Sequence, residues 1–213
     1  MKAARHNGFS VVELLVIVLV LVLIVAFLLP AISHQKAAWR MECRNNLKQI
    51  GIGFKTWALD SYDNYHFQRP AKQGGTLEAF AAGDSYRHFL WMSNQLATPK
   101  AVVCPADVRK PAKTFTNSFS NVNVSYFVGQ DANDNFPQML LSGDRNLTNG
   151  PLRPNRILEL TTNSVVGWTE KMHNREGNIL LGDGSVQQFS TSGLRAYLLK
   201  DGLFNGTNRL SLP

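Results

Sequence analysis

The chain has 213 residues, 44% of them hydrophobic, with 22 Lys and Arg against 15 Asp and Glu for a formal charge of +7. Once about 50 residues are assigned to the amino-terminal region, the remainder suffices for one globular domain and excludes a second. The charges are scattered rather than gathered on one stretch with interleaved aromatics, so no nucleic-acid partner is expected, and two cysteines are by themselves too few for a structural zinc site.

The first element is Gly8-Phe9-Ser10-Val11-Val12-Glu13 followed by an unbroken apolar run from Leu14 to Ile32. About 20 apolar residues span a bilayer, so the run fits a membrane helix. A carboxylate within such a helix costs roughly 2.5–3.5 kcal/mol, which marks Glu13 as a functional residue in need of a partner. A cleaved secretory signal would have a shorter apolar region and a small-x-small site, whereas this run ends in Leu-Pro-Ala-Ile. An ordinary signal anchor accounts for the length but for neither Gly8 nor Glu13.

The pattern resembles the prepilin leader of type IV pilins and type II secretion pseudopilins. In that family a basic leader ends in Gly, Phe commonly follows, and the fifth mature residue is Glu. The resemblance implies cleavage after Gly8 by a membrane-embedded prepilin peptidase, N-methylation of Phe9, and retention of the helix in the inner membrane with the head in the periplasm. It also implies self-association into a filament on an inner-membrane assembly platform, with Glu13 neutralising a neighbour's Phe9 amine and Pro30 at a position where pilin helices often carry proline. Charge argues the other way on topology: the leader carries Lys2 and Arg5, while Lys36, Arg40 and Arg44 flank the far side. The expected leader position overrides it.

Beyond Ile32, Trp39, Cys43, Leu47, Ile50, Phe54 and Trp57 recur at spacings of three and four, predicting an amphipathic helix that ends near Ser61 and packs on a sheet. Tyr86 to Leu96 reads as a short helix, Ala101 to Cys104 as a strand, Pro111 to Asn121 as a loop. Val122–Val128, Met139–Ser142 and Ser164–Trp168 read as strands. Asp183-Gly184 between two apolar runs predicts a hairpin over Asn178–Phe189. A helix over Leu194–Lys200, capped by Ser190, Thr191 or Ser192, and an irregular tail complete the chain. The expected division is leader 1–8, membrane helix 9–32, stalk helix 33–61 and head 62–213. The fold class is α+β, pilin-like, with a long helix on a small antiparallel sheet.

Cys43 and Cys104 admit one disulfide in an oxidising compartment; two buried free thiols are the alternative. His173 precedes Asp183-Gly184 with nine residues between. That spacing, with Cys43-Arg44-Asn45-Asn46-Leu47-Lys48-Gln49-Ile50-Gly51 and Val103-Cys104-Pro105-Ala106-Asp107, resembles a group of prepilin-like proteins of planctomycete and verrucomicrobial bacteria. The resemblance brings no catalytic role. One His and one Asp without a nucleophile make an incomplete site, so His173, Asp183 and Gly184 are read as structural, pinning the hairpin, and no enzyme activity is expected.

Asp131-Ala132-Asn133-Asp134-Asn135 alternates oxygen ligands, but Phe136 replaces the glycine of an EF-hand and Ser142 its final Glu. Several major pseudopilins hold calcium in a loop, and by that resemblance Asp131, Asn133 and Asp134 are the weak calcium candidates. No other cofactor is expected. Asp144-Arg145-Asn146 reads as a salt-bridged turn. Trp39, Trp57, Trp91 and Trp168 read as core or interface residues. The function expected is that of a pseudopilin-like filament subunit of a type II secretion-like system. The alternatives are a type IV pilus subunit, or a membrane-tethered periplasmic binding protein or enzyme.

Overall fold

The computed structural model describes residues 10–61, 64–116, 118–133, 135–150, 155–200 and 206–213, with the side chains of 27–34 left aside. Gly8, Phe9 and Asp134 therefore lie outside the described residues, as does the side chain of Pro30. The chain forms two compact units, Met1–Ala38 and Trp39–Pro213. Helix α1 (Val11–Leu59) contributes to both.

In the first unit the apolar side chains from Val11 to Val25 are each 44–73% exposed. Among the described residues no helix is long and apolar enough to cross a membrane. The described side chains of this apolar stretch end at Ala26, short of Ile32 where the apolar sequence ends.

The second unit is mixed α and β. Its six-stranded antiparallel sheet is built from β1 (Tyr126–Gly129), β2 (Leu140–Asp144), β4 (Ile157–Leu160), β6 (Glu176–Leu181), β7 (Val186–Ser190) and β8 (Asn208–Ser211), in the order β4-β8-β1-β2-β6-β7. A separate pair joins β3 (Leu147–Thr148) to β5 (Gly167–Trp168). Both faces of the large sheet are covered. Tyr126, Val128, Leu141 and Leu180 belong to one core with Cys43, Leu47, Ile50 and Phe54 of α1, while Phe127, Leu140, Ile179 and Leu181 belong to another with Leu194 and Leu198 of helix α5 (Thr191–Leu199). Double coverage is why the central strands β1 and β2 are buried at every residue rather than at alternate ones.

The second half of α1 is thus part of the head's core, and the second compact unit begins at Trp39. Gly51 makes the approach close: a Cβ there would stand 2.9 Å from Leu180 Cδ1. Three short helices follow, α2 (Leu77–Ala82), α3 (Tyr86–Trp91) and α4 (Ser93–Leu96), and α3 and α4 place Phe89 and Leu96 in the same core as α1. The last two replace one expected helix, broken at Met92.

Four further expectations are corrected. Pro99–Val102 is a 3-10 turn rather than a strand, because Pro99 fixes its φ and the Thr98 hydroxyl accepts from Lys100 N. The expected strands at 122–128 and 164–168 shorten to β1 and to the two residues of β5, a 3-10 turn occupying Asn121–Asn123. The tail, expected to be irregular, supplies β8 between β4 and β1.

Candidate functional site

Where α1 crosses the sheet, Cys43 is joined to Cys104 by a disulfide with the Cα atoms 5.1 Å apart. Both cysteines are buried. Asn46, one turn further along α1, donates from Nδ2 to Val103 O at 3.1 Å and so fastens the helix to the Cys104 segment a second time.

His173 closes this cluster from the loop between β5 and β6. Its Nε2 lies 3.3 Å from Cys104 Sγ and 3.4 Å from Asp144 Oδ2 at the end of β2. The loop bends sharply to deliver the ring: Met172, Asn174 and Arg175 all have left-handed φ values, 67°, 55° and 62°. Asn tolerates that region, Met and Arg rarely adopt it, and such strain persists only where surrounding contacts hold it. Here the holding group is Asn146, whose Nδ2 donates to Lys171 O at 2.9 Å, Glu176 O at 3.1 Å and Thr169 O at 3.3 Å.

Asp144 is fully buried. Its Oδ2 accepts from Asn178 N at 2.7 Å and Asn178 Nδ2 at 2.9 Å, while Oδ1 has no hydrogen-bond partner. Burial raises its pKa to about 7 against those two hydrogen bonds. Burial, with Arg40 as a second cause, lowers His173 to about 4. The two groups have ion-pair geometry, but desolvation acts against both charges, so at neutral pH the imidazole is neutral and the contact is not an ion pair.

A second carboxylate anchors the surroundings. Arg145 donates from Nε and an Nη to both oxygens of Asp107, each at 2.6 Å, and Ser125 Oγ donates to Asp107 Oδ2 at 2.8 Å. Burial pushes Asp107 up, yet these hydrogen bonds outweigh it and hold the carboxyl below its ordinary pKa.

The triplet Asp144-Arg145-Asn146 is therefore three successive supports of the site rather than an ordinary salt-bridged turn. His173 is not paired with Asp183 as a hairpin pin. Its partners are the disulfide and Asp144, whereas Asp183 Oδ1 accepts from Ser185 N at 2.7 Å within the hairpin turn, and Gly184 takes φ 84°. The quoted Cys43, Cys104 and His173 stretches do meet; Asp144 was visible in the sequence only as part of a polar triplet.

The calcium candidates are engaged otherwise. Both oxygens of Asp131 accept from Arg209, and Asn133 Oδ1 accepts from Asn135 N and Phe136 N in its own turn. A cation at Asp131 would have to displace a guanidinium.

Ser10 and Glu13 form a local device of their own. Ser10 O accepts from Leu14 N at 3.1 Å and Ser10 Oγ from Val12 N at 3.3 Å, while Ser10 N donates to Glu13 Oε2 at 2.9 Å. This reciprocal cap satisfies donors at the start of α1. The Ser-x-x-Glu signature was present in the sequence but hidden by reading Glu13 only as a membrane carboxylate.

No family model, curated protein or solved structure matches this chain.

Proposed function

We propose that the chain is a pseudopilin-like subunit that assembles through its amino-terminal helix into a periplasmic filament of a type II secretion-like system. The observation that carries this reading is the sleeve of apolar side chains from Val11 to Val25, uncovered on every side of α1 and interrupted by one carboxylate. Such a surface needs lipid or protein around it. The sequence continues it to Ile32, and the leader-like Gly8-Phe9 precedes it. In the membrane, lipid covers the sleeve; in the filament, the same sleeve from other copies does. The disulfide fits an oxidising periplasm.

Glu13 then has two duties. Within the subunit it caps α1 through Ser10 N. Between subunits its charge neutralises the amine of a neighbour's Phe9 and sets axial register. Glu13→Gln retains an acceptor for Ser10 N but loses the charge. Filament yield and cross-linked multimers should fall at least tenfold relative to wild type at matched expression, with the variant accumulating as a membrane-embedded monomer. Normal filament yield from Glu13→Gln would remove the assembly role.

A further inference from the structure

We propose that Cys43, Cys104, His173 and Asp144 form a redox-gated site for one thiophilic divalent cation of the zinc class, closed when the disulfide is made and open when it is reduced. The sequence count of two cysteines spoke against a zinc site, but the fold adds a nitrogen and an oxygen ligand from β2 and the β5–β6 loop.

The sulfurs of Cys43 and Cys104 and a ring nitrogen of His173 all lie within 4.8 Å of one another. A tetrahedral ion with bonds of about 2.0–2.2 Å to nitrogen and oxygen and about 2.3 Å to sulfur keeps its ligands about 3.3–3.8 Å apart. The distance from His173 Nε2 to Cys104 Sγ is 3.3 Å, so one edge of that tetrahedron is nearly in place, and the Asp144 carboxylate stands beside the ring with Oδ2 at 3.4 Å. Once their bond is gone the sulfurs must separate and the Asp144 carboxylate must close on them to complete the fourth corner.

The oxygen corner carries an independent sign. Asp144 is buried with Oδ1 unpartnered, an orphaned acceptor that a cation would satisfy. Asn178 already orients the carboxylate from behind by donating to Oδ2, the kind of outer support that ligating carboxylates use. The His173 ring is buried, but its loop neighbours Lys171, Asn174 and Arg175 are exposed, so the cluster lies just beneath the surface.

The chemistry balances. A dithiol donates two electrons and two protons to the Cys43–Cys104 bond and is itself oxidised to a disulfide. The two resulting thiols each release a proton as their sulfurs bind the cation. In reverse, a disulfide takes the two electrons from the thiolates and, with two protons from solvent, leaves as two thiols; the Cys43–Cys104 bond re-forms and the metal is expelled.

The test uses the full chain in detergent, reduced with dithiothreitol and freed of it anaerobically, beside the untreated disulfide form. Each is incubated with Zn²⁺, desalted and assayed for bound metal, and Co²⁺ is used as the spectroscopic probe. The reduced chain should hold one zinc and give tetrahedral, thiolate-ligated cobalt bands; the disulfide form should hold none. His173→Ala and Asp144→Ala should each weaken zinc binding by about tenfold or more. If reduction loosens the fold, zinc should restore the near-ultraviolet circular dichroism and raise the thermal midpoint of the reduced chain only. Equal binding by both redox forms, no binding or refolding of the reduced chain, or undiminished affinity in both variants would overturn the proposal.

Discussion

Histidine burial is where single residues govern this fold most directly. His66 stacks on Phe54 with 5.5 Å between ring centroids, and neither ring nitrogen has a hydrogen-bond partner. Burial, reinforced by the neighbouring His88, holds its pKa well below the ordinary value, and burial brings His88 down to about 3. In the unfolded chain both protonate near pH 6.5. Their contribution is therefore fully present above that pH and is lost as acid protonates the unfolded state first, at about 1.4 kcal/mol per pH unit for each histidine until the folded pKa is reached. His66→Phe should keep the ring packing and shrink the drop in denaturation midpoint between pH 7 and pH 5. An unchanged drop would place the acid sensitivity elsewhere. None of this was legible beforehand, since a histidine in a sequence does not disclose whether it is buried. Cys43, Cys104 and His173 were singled out for their types and spacing. Asp144 was passed over because its partners lie 29 and 34 residues away along the chain.

Elements were legible where local chemistry decides them. Helix α5 takes Ser190 as its cap, with the hydroxyl accepting from Gly193 N at 3.1 Å. The hairpin formed where Asp183-Gly184 predicted it, though not as a two-residue turn: Gly184 N bonds Leu181 O and Leu181 N bonds Ser185 O, leaving Gly184 as the left-handed residue of a longer loop. A Cβ at Gly184 would meet only the end of the Lys55 side chain, Cε at 3.5 Å and Nζ at 4.0 Å, both ordinary contacts, so replacement tests the backbone alone. Gly184→Ala should cost about 1 kcal/mol, read as a lowered midpoint in urea. Gly184→Asn should recover part of it, because Asn tolerates that conformation; a neutral Ala variant would count against the turn's dependence on glycine. Elements set by distant partners were not legible. Strand β8 buries Asn208 and Ser211, the latter with its hydroxyl 2.7 Å from that of Ser85, and two buried polar residues in four disguise an interior strand as tail.

At the scale of the whole molecule, the α+β class followed from the helical stripe and the hairpin, and the six-stranded antiparallel sheet agrees with it. The size of the sheet was underestimated because β4 and β8 carry weak patterns. The helical stripe was legible in its residues and in its packing: Cys43, Leu47, Ile50 and Phe54 are fully buried in one core with the sheet, within the second unit. The processing expectation at Gly8 and Phe9 belongs to this scale too, since it decides what leaves the membrane. Mass spectrometry of the membrane-extracted chain should find an amino terminus at N-methylated Phe9. An intact Met1 in cells that contain the peptidase would contradict the leader assignment.

The disulfide also has a mechanical consequence. Pulling on α1 from its amino-terminal side can peel Trp39 to Glu42 away from the second unit one contact at a time. At Cys43 that unzipping meets a covalent bond to Cys104. Beyond this stop the load no longer falls on successive side-chain contacts of Leu47, Ile50 and Phe54. It passes into the Cys104 segment, which Asp107 ties to Arg145 and so to the end of β2. While the bond is intact, tension cannot strip the rest of the helix progressively from its sheet; it must load the folded head as one body.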